Sequence, residues 1–113
     1  MDRREFEEHV ERALESLPRE LRAAMQNVEI VVEDENREDP DLFGLYLGIP
    51  LTERGEGYAG ALPDKIAIYQ LPLEEEFGHD TAVLHEEIRI TVLHELAHHF
   101  GIDEDRLTDL GWS

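Results

Sequence analysis

Apolar residues recur at helical spacing along residues 3–17, where Phe6, Val10, Ala13, Leu14 and Leu17 share one stripe with acids and arginines between them. This pattern predicts an amphipathic helix. Ser16 and Pro18 mark a stop and a restart, and Leu21, Ala24 and Met25 carry one or two further helical turns toward Asn27. The period then changes. VEIVVED, residues 28–34, is β-branched and reads as a strand. After the polar loop ENREDPD, the run LFGLYLGIPL, residues 42–51, predicts a second strand kinked by Gly44 and Gly48. TERGEGYAGALPD is punctuated by glycine and reads as a loop or a short irregular edge strand, and KIAIYQL, residues 65–71, as the third strand. LPLEEEFGHD reads as a link, its acidic run solvated. A long helix follows, beginning near Asp80 or Thr81 with Asp80 as N-cap and ending at Gly101. The tail IDEDRLTDLGWS has room for about one turn of helix, closed by Trp112. Helices and strands in this order predict an α+β fold.

A chain of 113 residues fits one domain, so residues 1–113 are expected to form a single unit. Hydrophobic residues make up 41% and charged residues 34%, enough to bury a core under an ionised surface. The formal charge is −18, from 28 acids against 10 bases, and Lys65 is the one lysine. That field repels phosphate backbones, which argues against nucleic acid as a partner. Cysteine is absent, so any metal must be held by nitrogen and oxygen donors. The start, MDRREFEEHVERALES, has no apolar signal core, and no apolar run is long enough to span a bilayer. The expectation is a cytoplasmic monomer that does not engage membranes.

Candidate chemistry lies in HELAHHFGIDED, residues 94–105. His94 and His98 are one helical turn apart, separated by about 40° around the axis and about 6 Å along it, so their imidazoles can reach a single ion. Glu95 lies about 60° from His98, placed for a general base rather than for a third ligand from the same turn. Because H-E-x-x-H is short and the chain is rich in glutamate, a solvated helix face would produce it as well. The surroundings weigh against that reading: Leu93, Leu96, Ala97 and Phe100 cover the far side of the same turns, widened by Ile90 and Val92. Gly101 then allows the chain to reverse, returning Glu104 or Asp105 over the metal as a third ligand and leaving one position for water. Asp105 is alternatively a cap for a turn over residues 106–110. His99 points about 100° from His98 and reads as a packing or supporting residue, while His9, His79 and His85 read as surface or cap residues. Tyr46, Tyr58, Tyr69 and His99 are candidates for oxyanion stabilisation, and the stretches 58–62 and 44–51 for pairing with a peptide through a strand edge.

H-E-x-x-H-x-x-G followed by an acid three residues on resembles the extended zinc motif of metzincin peptidases, with Glu104 where that group carries histidine or aspartate. The run from GIPLTERGEGYAGALPDKIAIYQ through ITVLHELAHHFGIDEDRLTDLGW, together with FEEHVERALESLP, is similar to the small bacterial family of minimal zincin-like metallopeptidases. That resemblance implies a minimal zincin-like fold: a small mixed sheet of three to four strands packed on the N-terminal helix and the long H-E-x-x-H helix. It implies zinc held by His94, His98 and an acid beyond Gly101, for which Glu104 is favoured over Asp105, and, with Glu95 as the general base, hydrolysis of peptides or unfolded segments. The chain departs from the larger metzincins in having no methionine after Met25 and only twelve residues after Gly101. Two other functions compete. One is a non-catalytic interaction module stabilised by zinc, and the other a metal-dependent ribonuclease, which the −18 charge and Glu95 disfavour.

Overall fold

The computed structural model describes residues 1–17, 19–25, 28–48, 64–101, 105, 106 and 109. Its elements run α1 (Arg3–Glu15), α2 (Arg19–Ala24), β1 (Val28–Glu33), β2 (Gly44–Leu47), β3 (Asp64–Tyr69), α3 (Gln70–Phe77) and α4 (Thr81–His99). The three strands form one mixed sheet in the order β1-β3-β2, with β1 parallel and β2 antiparallel to the central β3. An α+β fold with a small mixed sheet against the N-terminal and long helices is what the sequence leads one to expect.

Strand alternation sorts the sheet into rows. Ile30, Ile66 and Tyr46 are in register across the three strands, as are Val32, Ile68 and Gly44. Ile66 and Ile68 are fully buried, and Val28, Ile30, Val32 and Tyr46 pack against the same core, so this face looks toward the helices. Asp64 shares the phase of Ile66 and Ile68 and is 3% exposed.

The helices meet that face with apolar stripes. Phe6, Val10 and Ala13 of α1 and Leu84, Ile88, Val92, Leu93 and Leu96 of α4 interlock in one cluster with Leu17 and Leu73. Burying a side chain such as Phe6 contributes about 1.5–3 kcal/mol. Asp2 caps α1 by accepting from the Glu5 amide at 2.8 Å, and Asp80 caps α4 by accepting from the amides of Ala82 (2.9 Å) and Val83 (3.3 Å). At its far end α4 stops at Phe100, and Gly101 takes a φ of 73°, a left-handed conformation that glycine adopts without strain.

One element departs from expectation. The stretch read as the end of β3 and a solvated link is helix α3, and β3 ends at Tyr69. Pro72 falls in the first turn, where its missing N–H leaves no bond unmade. Pro72 and Leu73 are buried, so packing decides for helix, while Glu75 and Glu76 remain exposed as anticipated. Arg3 pins the junction: Nε donates to Gln70 Oε1 at 2.7 Å, Nη1 donates to the Val32 carbonyl at 2.8 Å, and Nη2 meets Asp34.

Candidate metal and catalytic site

Helix α4 crosses the inner face of the sheet antiparallel to β3. Glu95 lies over Gly44, the partner of Ile68, and His99 one turn later meets Asp64 at the start of the strand. The sequence brings α4 this close to β2 by placing Gly44 in the row. A Cβ there would fall 2.7 Å from Thr91 Cγ2 and 3.3 Å from Glu95 Cγ.

On the adjoining face of the helix the rings of His94 and His98 lie 5.0 Å apart between centroids, at 69° to one another. Glu95 Oε1 stands 3.3 Å from His98 Nδ1. Glu95 is 7% exposed, whereas the His98 side chain is 38% exposed, so a buried carboxylate backs an imidazole that opens outward. That contact is made through Nδ1 of His98.

A cavity of about 240 Å³ adjoins this group, lined by Leu42, Phe43 and Gly44 from the β2 side and by Glu87, Ile90, Thr91, His94 and Glu95 from α4. Its walls are mainly apolar, with carboxylates at two points. A larger hollow of about 600 Å³ between α1 and β1 is lined by Arg4, Glu7, Glu8 and Glu11 over Val10, Leu14 and Ile30, and contains no histidine.

The sequence-nominated residues are therefore only partly brought together. His94, Glu95 and His98 converge. Glu104 lies outside the described residues; Asp105, the other candidate, is helical and exposed, as are Arg106 and Asp109. Among the described residues no group of three or more His, Cys, Asp or Glu is arranged to hold a metal ion. The donors present nonetheless suit a divalent ion of zinc type: two imidazoles one turn apart and no thiolate, with a carboxylate beside them.

Other candidates fall elsewhere. Tyr46 donates its hydroxyl to Asp64 Oδ2 at 2.8 Å, His99 Nδ1 meets the same oxygen at 2.8 Å, and the Tyr69 hydroxyl accepts from Asn36 Nδ2 at 3.0 Å. Tyr58 lies outside the described residues. His9 and His85, expected at the surface, are half-buried between α1 and α4 with rings 5.9 Å apart. Desolvation, with Arg12 and His85 adding repulsion, holds the His9 imidazole below its ordinary pKa, against the pull of Glu5 and Glu8.

Sequence reading also missed Asp64, Thr91 and Glu87. The strand period could have found Asp64, since it alternates in phase with Ile66 and Ile68.

The family model for zincin-like metallopeptidases matches residues 25–112. The chain belongs to that family. The matched span begins after α2, so the run FEEHVERALESLP in α1 lies outside it. Membership implies zinc binding and, at the coarse level, peptidase chemistry. No curated protein matches the chain. No helix among the described residues is long and apolar enough to cross a membrane.

Proposed function

We propose that this zincin-like protein is a zinc-dependent metallopeptidase hydrolysing peptides or unfolded protein segments. His94 and His98 would serve as ligands, with the third donor a carboxylate beyond Gly101, for which Glu104 is the better placed in sequence. The observation that carries the reading is the convergence of the two rings at 5.0 Å with the buried Glu95 carboxylate beside them.

Zinc, when bound, supplies Lewis acidity that polarises a scissile carbonyl and acidifies water. Glu95 supplies the proton handling: one carboxylate oxygen accepts the proton of the attacking water and returns it to the departing amine. Its burial and the apolar walls around it exclude bulk water from that transfer, which strengthens each electrostatic contact there. The β2 strand, at the sheet edge among the described residues, offers backbone groups from Gly44 to Leu47 along which an extended peptide can pair. The adjoining cavity of about 240 Å³ would then take one substrate side chain. Residues 1–113 would act as one domain, as a cytoplasmic monomer.

A second reading has one observation in its favour. Glu95 lies against His98 in this structure, the arrangement expected if the carboxylate only steadies an imidazole in a zinc-stabilised interaction module.

Glu95→Gln separates the two. In a peptidase it retains bound zinc and loses about 100-fold or more of the hydrolysis of a casein or peptide library. Residual hydrolysis equal to that of the parent refutes the mechanism, and a zinc-loaded parent that cleaves nothing favours the module.

A further inference from the structure

We infer that Asp64 and His99 are positioning residues whose buried contact sets where His94, Glu95 and His98 stand; this rests on the zinc-site reading above. Both side chains are 3% exposed, and one oxygen, Asp64 Oδ2, receives the Tyr46 hydroxyl and His99 Nδ1, each at 2.8 Å. A carboxylate oxygen offers only lone pairs, so Nδ1 is the donor. Gly48 closes the other side: a Cβ there would lie 2.7 Å from Asp64 Oδ1 and 2.8 Å from the Tyr46 hydroxyl. The network thus joins β2, the start of β3 and the last turn of α4.

Its placement matters because of what it adjoins. His99 follows His98 and lies one turn after Glu95, so any roll or slide of this turn moves those residues equally. The surrounding contacts, from Val92, Leu93 and Leu96, are apolar and non-directional, and permit small slides. A charge-assisted hydrogen bond is directional and fixes both rotation and axial height. Catalytic and metal geometry tolerates displacements of only about 0.5 Å. A buried carboxylate–imidazole pair is a poor source of stability, since apolar replacements of similar volume are often neutral or better. Holding the helix in register accounts for its presence where an apolar pair would pack as well.

The test reads metal affinity and apo-protein melting together, using zinc alone in competition with a chromophoric chelator. In Tyr46→Phe/Asp64→Leu/His99→Phe the three polar partners are removed together, so that no hydroxyl is left orphaned: the apo protein is expected to melt close to the parent temperature while zinc affinity weakens about tenfold or more. His99→Asn keeps a nitrogen donor at the same number of bonds from Cα as Nδ1 and should bind zinc close to the parent's affinity. His99→Gln moves the donor one bond outward and should show the weakened affinity. Parental affinity in the triple variant, or equal affinities for His99→Asn and His99→Gln, overturns the inference; if the triple variant fails to fold, the Asn and Gln pair decides. A parent that binds no zinc instead refutes the zinc-site reading itself.

Discussion

Gly44→Ala adds one methyl group where three elements touch. Glycine is not required there by backbone conformation, since the positive φ among the described glycines belongs to Gly101; space alone requires it. The added Cβ would stand 2.7 Å from Thr91 Cγ2, 3.1 Å from the Ala67 carbonyl oxygen and 3.3 Å from Glu95 Cγ. Comfortable carbon–carbon separation is about 3.5–4.0 Å, so Thr91 must retreat by roughly 1 Å. It is poorly able to do so, because Oγ1 donates to the Glu87 carbonyl at 2.8 Å and a β-branched side chain in a helix has few rotamers. Overpacking of this kind costs about 1–3 kcal/mol, offset by about 0.4–1 kcal/mol from the stiffer unfolded chain. The net expectation is a loss of about 1–2 kcal/mol, seen as a fall in Tm of roughly 4–8 °C per kcal/mol. Thermal melts of Gly44→Ala, Thr91→Ser and the double variant isolate the cause. Thr91→Ser deletes Cγ2 and retains the hydroxyl bond to Glu87, so the double variant should be hardly less stable than Thr91→Ser alone, with a coupling of about 1 kcal/mol. Strict additivity, or a neutral Gly44→Ala, refutes the close-packing argument. The push on Glu95 also makes Gly44→Ala a less active peptidase than its stability loss alone explains.

Removing the Asp80 cap by Asp80→Ala strips acceptors from two amides at the start of α4 and should lower stability by about 1 kcal/mol in urea unfolding, whereas Asp80→Ser should retain most of it. His9 gives a pH dependence with a definite sign. Its native pKa is lowered by desolvation first and then by Arg12 and His85, so the unfolded chain takes up the proton before the folded one does. The contribution to stability is complete above the unfolded value of about 6.5 and is lost as pH falls through the lowered native value. Urea midpoints measured between pH 7.5 and 5 should therefore fall less steeply for His9→Leu than for the parent; equal slopes refute it.

Much of this architecture is legible in the pattern of side chains, and the failures have physical causes. The strand β1 reads clearly because Val28, Ile30, Val31 and Val32 are β-branched, and α4 because an N-cap aspartate and a left-handed glycine bracket a long apolar stripe. Helix α3 is hidden because proline and three consecutive glutamates are poor signals of periodicity; what makes it a helix is the seat that α4 and the core give Leu73, a tertiary effect with no local mark. The convergence of His94, Glu95 and His98 follows from helical spacing alone. The Asp64 contact does not, since its partners lie 18 and 35 residues away and meet only once β2, β3 and α4 have docked.

The burial of Glu95 bears on whether the H-E-x-x-H run is a charged surface stretch or a site. A solvated helix face would leave the carboxylate in water. Here Glu95 is 7% exposed beside Leu96 and Ala97, both fully buried, and beneath a glycine that makes room for it. Burying a carboxylate opposes folding unless partners offset the lost hydration, and glutamine or leucine of similar size would avoid the penalty. Natural sequences depart from such local preferences mostly where function requires it. Among the described residues no arginine or lysine forms an ion pair with this acid, and Glu95 Oε1 instead meets Nδ1 of the half-exposed His98 at 3.3 Å. A buried carboxylate against a half-exposed imidazole, one turn from a second imidazole and at the rim of a mostly apolar cavity, is an arrangement that stability alone does not explain, and the proposed role of Glu95 as a base gives a reason for it.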